Sequence, residues 1–417
     1  MTFSLHVDAE RWRTNATTVT EAISQATADD GTGGSGIVPV IKGNGYGLTL
    51  PRLAREAQRL AVPSVAVGTP FEVASVAADF TGDILVLQPW DPRDELAAEA
   101  WQAIEATPVA SRVIKTIAST DTLHLLARDA TSPADVVLEG MTSMRRFGLA
   151  EPNLDALLAD DTIRRALADG RLRLRGAAIH LPLTQPSYPM VATLNSETGS
   201  EAVKTSASNR VREAWGWAVT WVRALAAVED TGVELAQEAA TVWVSHLDDD
   251  ELRDLRDALP HVPIRVRVGT RLWLGDPESL QACGTVLAVH PIDKGRESGY
   301  RQRRAAKAGY LVVVGGGTSH GVGMAAPSST TSMRQRAIAA STGALEAVGR
   351  ARSPFSWANK LRWFAEPPHM QVSMVLLAED DLREGLGAGY RTPAVGDTWP
   401  CRIRHTTATF DRIVGLD

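Results

Sequence analysis

Between about residues 36 and 270 the chain repeats one device: a short apolar run, a turn, then a stretch of helical periodicity. The runs are VPVIK, SVAVG, DILVLQ, PVASRVI, DVVLEGM, LRGAAIHL, TVWVSHL and PIRVRVG. Repeated strand–helix units imply parallel strands, since each helix carries the chain back to the edge from which the next strand starts. A count near eight favours closure into an α/β (β/α)8 barrel over an open sheet. After VPVIK, Leu50, Leu53, Ala54, Ala57, Leu60 and Ala61 recur at helical spacing, with Thr49 as N-cap and Pro51 in the first turn. The clearest helix runs from Ser208 to Val228, with Val211, Ala214, Trp215, Ala218, Trp221, Val222 and Leu225 on one face.

After about residue 278 the texture changes. CGTVLAVHPI, GYLVVVGGG, QVSMVLLAED and GDTWPCRIR read as strands joined by turns, with few helical patterns. The expected organisation is a barrel domain over residues 1–277 followed by a mostly β domain over 278–417. Gly/Ser/Thr-rich stretches at 26–36 and 315–332, and the segment 182–207, read as loops.

Composition excludes several functions. Hydrophobic content of 44% and charged content of 22% are those of an ordinary globular chain. A net charge of -6 points away from nucleic acid and anionic membrane surfaces. No apolar run approaches the roughly 20 residues that span a bilayer, and the first residues lack a basic-then-apolar leader. Cys283 and Cys401 have neither metal-ligand nor disulfide-framework spacing, so a reducing, cytoplasmic setting is expected. The nine histidines form no H-E-x-x-H pair, so no metal site is expected.

One strand ends on a charge. In VIKGNGYG, Lys42 follows an apolar run and precedes a glycine-rich turn. A lysine at a strand end often simply reaches solvent along its methylenes. At the C-terminal mouth of a barrel strand it lies where such folds keep their active sites, and partial burial would make it a nucleophile toward aldehydes. The stretch lacks the third glycine of a dinucleotide fingerprint.

VIKGNGYG resembles the pyridoxal-phosphate lysine motif of the alanine racemase family, V-x-K-A-N-A-Y-G-H-G. Asn44, Tyr46 and Gly47 match; Gly43 and Gly45 replace the alanines and the final H-G is absent. The family is a (β/α)8 barrel followed by a β domain. The resemblance implies that Lys42 holds pyridoxal 5′-phosphate covalently and that Tyr46 contacts its phosphate. MTSMRRFGL is similar to D-T-G-M-x-R-x-G, which makes Arg146 the contact of the substrate carboxylate. Seven residues earlier, where many members carry a carbamylated lysine, stands Glu139, whose carboxylate supplies the same charge in support of Arg146. GAAIHLPL resembles G-x-x-x-H-F-A and sets His180 against the cofactor ring. VRVGTRLW resembles R-x-G-x-x-x-Y, so Arg267 faces the ring nitrogen, with Trp273 in place of the tyrosine. VWVSHL lies where the family has a phosphate-binding serine, so the resemblance implies Ser245 as a phosphate ligand.

In the second domain KGRESGY resembles G-E-x-V-S-Y. By resemblance Tyr300 crosses into a partner's site as the second base, which implies a homodimer. PHMQVSM resembles C-M-D-Q, with Met370 near the substrate and Gln371 replacing the aspartate, and the G-Y-A-D-G turn is reduced to GTSHG, with Thr318 for its tyrosine. The resemblance implies a small amino-acid substrate, alanine by default. An aldolase or decarboxylase of the same barrel group, or a low-activity cofactor-binding homologue, fits the same lysine motif. From another class, Gly317–Gly321 matches the G-x-S-x-G of serine hydrolases, with Ser319 as nucleophile.

Overall fold

The computed structural model describes residues 2–28, 36–187, 207–324 and 351–416, and at 151–153 and 155 the backbone only. The larger part of each of the loops at 26–36 and 182–207, and the end of that at 315–332, lie outside the described residues. The chain forms two compact units: Thr14–Gly45 with Thr49–Gly275, and Met1–Arg13 with Tyr46–Leu48 and Asp276–Asp417.

The first unit holds eight parallel strands: β2 (Gly36–Pro39), β3 (Ser64–Val67), β4 (Asp83–Pro89), β5 (Val113–Ile117), β6 (Ala134–Gly140), β7 (Leu172–His180), β8 (Val242–Ser245) and β9 (Ile264–Val268). They pair in the order β2-β9-β8-β7-β6-β5-β4-β3. The ring closes where Val40 bridges Ala66 and the Ile41 N–H donates to the Ala66 carbonyl at 2.7 Å. Every strand predicted by an apolar run is present, although in PVASRVI the first residues form a 3-10 turn, Pro108–Arg112, ahead of β5. The barrel interior is a packed layer of Val38, Val40, Ala66, Leu85, Ile114, Val137, Ala178 and Trp243. Because side chains alternate across a strand, these inward residues leave their sequence neighbours to pack against the helices outside.

Two helices carry elements of the site. Helix α2 (Leu50–Arg59) follows the lysine turn; Thr49 is its N-cap residue, but with φ 72° its hydroxyl makes no capping bond. In helix α8 (Asn209–Glu229) the Ser208 side chain caps the Val211 N–H. The face expected to be apolar is buried, apart from Val222, which lies toward solvent.

The second unit is an eight-stranded, largely antiparallel sheet. Its strands include β1 (Phe3–Val7), β10 (Leu280–Ile292), β13 (Gly309–Gly315), β14 (Arg352–Trp357), β15 (Lys360–Phe364), β16 (Val372–Ala378), β17 (Thr398–Cys401) and β18 (Arg412–Val414). A small hairpin of β11 (Glu297–Ser298) and β12 (Arg303–Arg304) stands apart. The expected boundary at 277 assigned the N-terminus to the barrel, whereas β1 pairs antiparallel with β10 and parallel with β18. The physical reason is that its buried residues, Phe3 above all, complete the β core with Val286, Val314, Phe355 and Trp399.

Candidate active site

The mouth of the barrel is built from the C-terminal ends of its strands. Past β2 the chain bends at once. The Gly45 N–H closes a turn onto the Lys42 carbonyl at 3.1 Å, and Gly43 and Gly45 both sit at φ 62°, a left-handed conformation that favours glycine over alanine. A Cβ on Gly45 would also stand 2.8 Å from the Leu50 nitrogen. The replacements for the family's alanines are therefore what this turn requires. Lys42 is exposed by surface area. Among the described residues its amine has no hydrogen-bond partner.

Glu72, which the sequence reading did not single out, holds the lysine turn. Its carboxylate accepts the Gly43 N–H at 2.8 Å and, from the end of β3, the Gly68 N–H at 2.6 Å. Desolvation by the surrounding wall lowers the pKa of Lys42; Arg146 and Arg267 lower it further, while Glu72 opposes them. Glu72→Gln is therefore expected to shift Lys42 acylation in cofactor-free protein to lower pH. Loss of the charge-assisted bonds should also destabilise the barrel by about 2 kcal/mol. An unchanged labelling profile and unfolding midpoint would refute this role.

Sheet register places His180, Ser245 and Arg267 in one row across β7, β8 and β9. The Ser245 hydroxyl lies 2.9 Å from His180 Nδ1. His246, at φ 63°, turns its ring to 4.9 Å from that of His180 and donates from Nδ1 to the Leu181 carbonyl at 2.6 Å. Burial, then Arg267 and Arg146, push the pKa of His180 down to about 2, so the ring is neutral at physiological pH. Between about pH 2 and 6.5 the unfolded chain would bind a proton here that the folded chain does not, so stability falls as pH falls below 6.5. His180→Asn is expected to flatten the acid limb of the stability profile by up to about 1.4 kcal/mol per pH unit, read from urea unfolding at pH 4 to 7.

Arg267 is 5% exposed and buried deeply enough that its pKa is lowered. One Nη contacts the Trp243 carbonyl at 3.4 Å, and its Nε has no partner. Glu139, 2% exposed on β6, has its pKa raised by burial, a rise that the charges of Arg267 and then Arg146 oppose. Arg146 itself is exposed and stacks over the Phe147 ring at 5.1 Å.

The loop that carries Arg146 is mounted from behind. Its two ends pair through Met141 N–H to Leu149 O and Leu149 N–H to Glu139 O, both at 2.8 Å. Thr142 donates to the His180 carbonyl at 2.6 Å. From α8, the fully buried Glu213 accepts the Ser143 hydroxyl at 2.7 Å, and the Trp217 indole donates to the Met141 carbonyl at 3.1 Å. Met141 and Ser143, the departures from the family motif, are thus accommodated by partners on a distant helix.

The other expected residues belong to the β unit. Tyr46 is 5% exposed with φ 55°, and Tyr46–Leu48 cluster with that unit. Tyr300 is 85% exposed and Met370 73%. Both line a cavity of about 780 Å³ together with Thr318, Glu366 and His369. Ser319 is no nucleophile elbow. Its hydroxyl donates to the Met370 carbonyl at 2.6 Å, and the neighbouring His320 Nδ1 already accepts the Gly317 N–H. Thr318–His320 is a single 3-10 turn, and the described residues that directly follow it, 321–324, form no helix. Among the described residues there is also no group of side chains suited to a metal ion, and no helix long and apolar enough to cross a membrane.

A closed parallel barrel bearing a lone lysine amine among arginines, joined to a β unit, defines a class of two-unit barrel proteins with an anion-seeking mouth. Residues 7–253 match the family model described as alanine racemase, N-terminal domain, and the chain belongs to the alanine racemase family. It is 27% identical over 267 residues to an alanine racemase from Nitratidesulfovibrio vulgaris, and 29% identical over 151 residues to one from Mycolicibacterium vanbaalenii. The matched segments span 63% and 36% of this chain, and the same shares of those relatives. The crystal structure of the alanine racemase from Bartonella henselae with covalently bound pyridoxal phosphate shares the fold. Its TM-score is 0.61 at 14% identity, covering 99% of this chain and all of that one.

Proposed function

We propose that this chain is a pyridoxal 5′-phosphate-dependent amino-acid racemase, a cytoplasmic homodimer with alanine as its default substrate. The observation that carries the reading is the unpartnered amine of Lys42, of lowered pKa, in a mouth where Arg146 and Arg267 outweigh the nearby carboxylates. Such a site suits a ligand with an aldehyde, a phosphate and an acceptor nitrogen. The orphan Nε of the buried Arg267 is the kind of donor that an acceptor would satisfy.

In this reading Lys42 holds the cofactor covalently, Tyr46 and Ser245 take its phosphate, His180 lies against its ring and Arg267 faces its nitrogen. When bound, the cofactor withdraws electrons from the substrate's Cα and so acidifies the α-proton. Arg267 has no readily surrendered proton to give to the ring nitrogen, which tempers that withdrawal. Arg146 holds the substrate carboxylate, with Met370 beside the substrate and Glu139 as the balancing charge. Lys42 Nζ takes or returns the α-proton on one face. Tyr300 Oη of a second copy serves the other, and two bases on opposite faces allow inversion.

The test is to add pyridoxal 5′-phosphate to purified protein, reduce with borohydride, map the label, and follow a panel of amino acids by chiral chromatography. Label on Lys42 with racemisation supports the reading. Label without racemisation of any amino acid favours an aldolase, a decarboxylase or a low-activity binder. No label refutes the cofactor assignment.

A further inference from the structure

We propose that His369, tied to the buried Glu366, is the positioning residue for Tyr300; the inference rests on the reading of Tyr300 as a base. The rings of Tyr300 and His369 lie 4.5 Å apart at an interplanar angle of 43°. Since Tyr300 is 85% exposed, this contact is what restrains a side chain otherwise free to sample rotamers in water. A proton-transfer group contributes only when it is held near the geometry of the reaction.

His369 is suited to hold it because its own freedom is removed on three sides. Its N–H donates to the Val372 carbonyl at 2.9 Å and its carbonyl accepts the Thr318 N–H at 2.8 Å. Its Nε2 donates to Glu366 at 2.6 Å. Glu366 is 3% exposed, so this bond is shielded from water, and a buried carboxylate with a fixed partner makes a rigid anchor. The same carboxylate packs beneath the turn that presents Tyr300. Gly299 has φ +74°, and a Cβ there would stand 2.2 Å from the Glu366 carboxyl carbon. Glu366 therefore meets both the tyrosine's turn and the histidine that braces its ring. His369 stands at the cysteine position of C-M-D-Q, and Glu366 lies outside every motif quoted above.

The test uses protein labelled with 3-fluorotyrosine. There are five tyrosines, and Tyr300→Phe assigns the resonance of interest in the fluorine spectrum of the cofactor-free protein. His369→Ala is expected to move that resonance toward free fluorotyrosine and, in cofactor-loaded protein, to lower kcat about tenfold or more with KM within about twofold. The double variant His369→Phe/Glu366→Gln removes the buried charge with its partner but keeps a ring wall. It is expected to restore the resonance and most of kcat. An unmoved resonance in His369→Ala, or a moved one with unchanged kcat, would overturn the proposal. Undiminished racemisation by Tyr300→Phe would instead overturn the base assignment on which it rests.

Discussion

Lys42→Ala is expected to abolish borohydride-fixable cofactor and to lower racemisation by about 10³-fold or more, since in the proposed function both covalent attachment and proton transfer on one face depend on Nζ. Lys42→Arg should fare little better. It keeps a positive charge in the mouth, but a guanidinium neither attacks an aldehyde nor gives up its proton at neutral pH. The comparison separates nucleophilicity from mere charge. If the arginine variant retained covalent cofactor, the lysine would not be the attachment point. Chiral chromatography and the absorbance of the borohydride-treated protein read the two effects independently.

The largest expected effect on stability comes from Trp273→Ala. Trp273 is fully buried, and its indole donates to the Val40 carbonyl at 2.9 Å, two residues before Lys42. Removing so large a side chain should cost about 3–5 kcal/mol through lost burial and the cavity left behind. Leaving the Val40 carbonyl with one donor fewer adds to that. Trp273→Phe fills most of the volume without the N–H, so it is expected to cost about 1–3 kcal/mol while loosening the strand end that bears the lysine. Urea unfolding monitored by far-UV dichroism gives the first effect, and retention of cofactor on gel filtration the second. An alanine variant as stable as the parent would rule out this bracing.

The barrel was legible because each strand is an apolar run bounded by turn or helix signals, and the row of His180, Ser245 and Arg267 follows once strand ends are aligned. What escaped notice depends on distance along the chain. Glu72 meets Gly43 across 29 positions, and Glu213 meets Ser143 across 70. No local pattern marks a carboxylate for such a partner. The β14–β15 hairpin escaped for a different reason. Its two-residue turn is Ala358-Asn359, with φ of 50° and 58°, where Asn-Gly or Asp-Gly is the usual signal. The first strand was hidden by brevity: FSLHV is too short to declare whether it serves the unit next to it or one that begins after residue 275.

That first strand also governs the order in which the molecule can assemble. β1 lies between β10 and β18, so its two neighbours leave the ribosome at widely different times, one of them only as residues 412–414 emerge. The barrel unit is in effect inserted into the β unit and can close while the rest is still being made. The β unit has to wait, with Phe3 and Leu5 unburied throughout synthesis of the barrel. Non-local closure of this kind slows folding and leaves an apolar strand edge without its mates. Relinking the chain so that β1 followed β18 directly would remove the delay without altering a residue of the site.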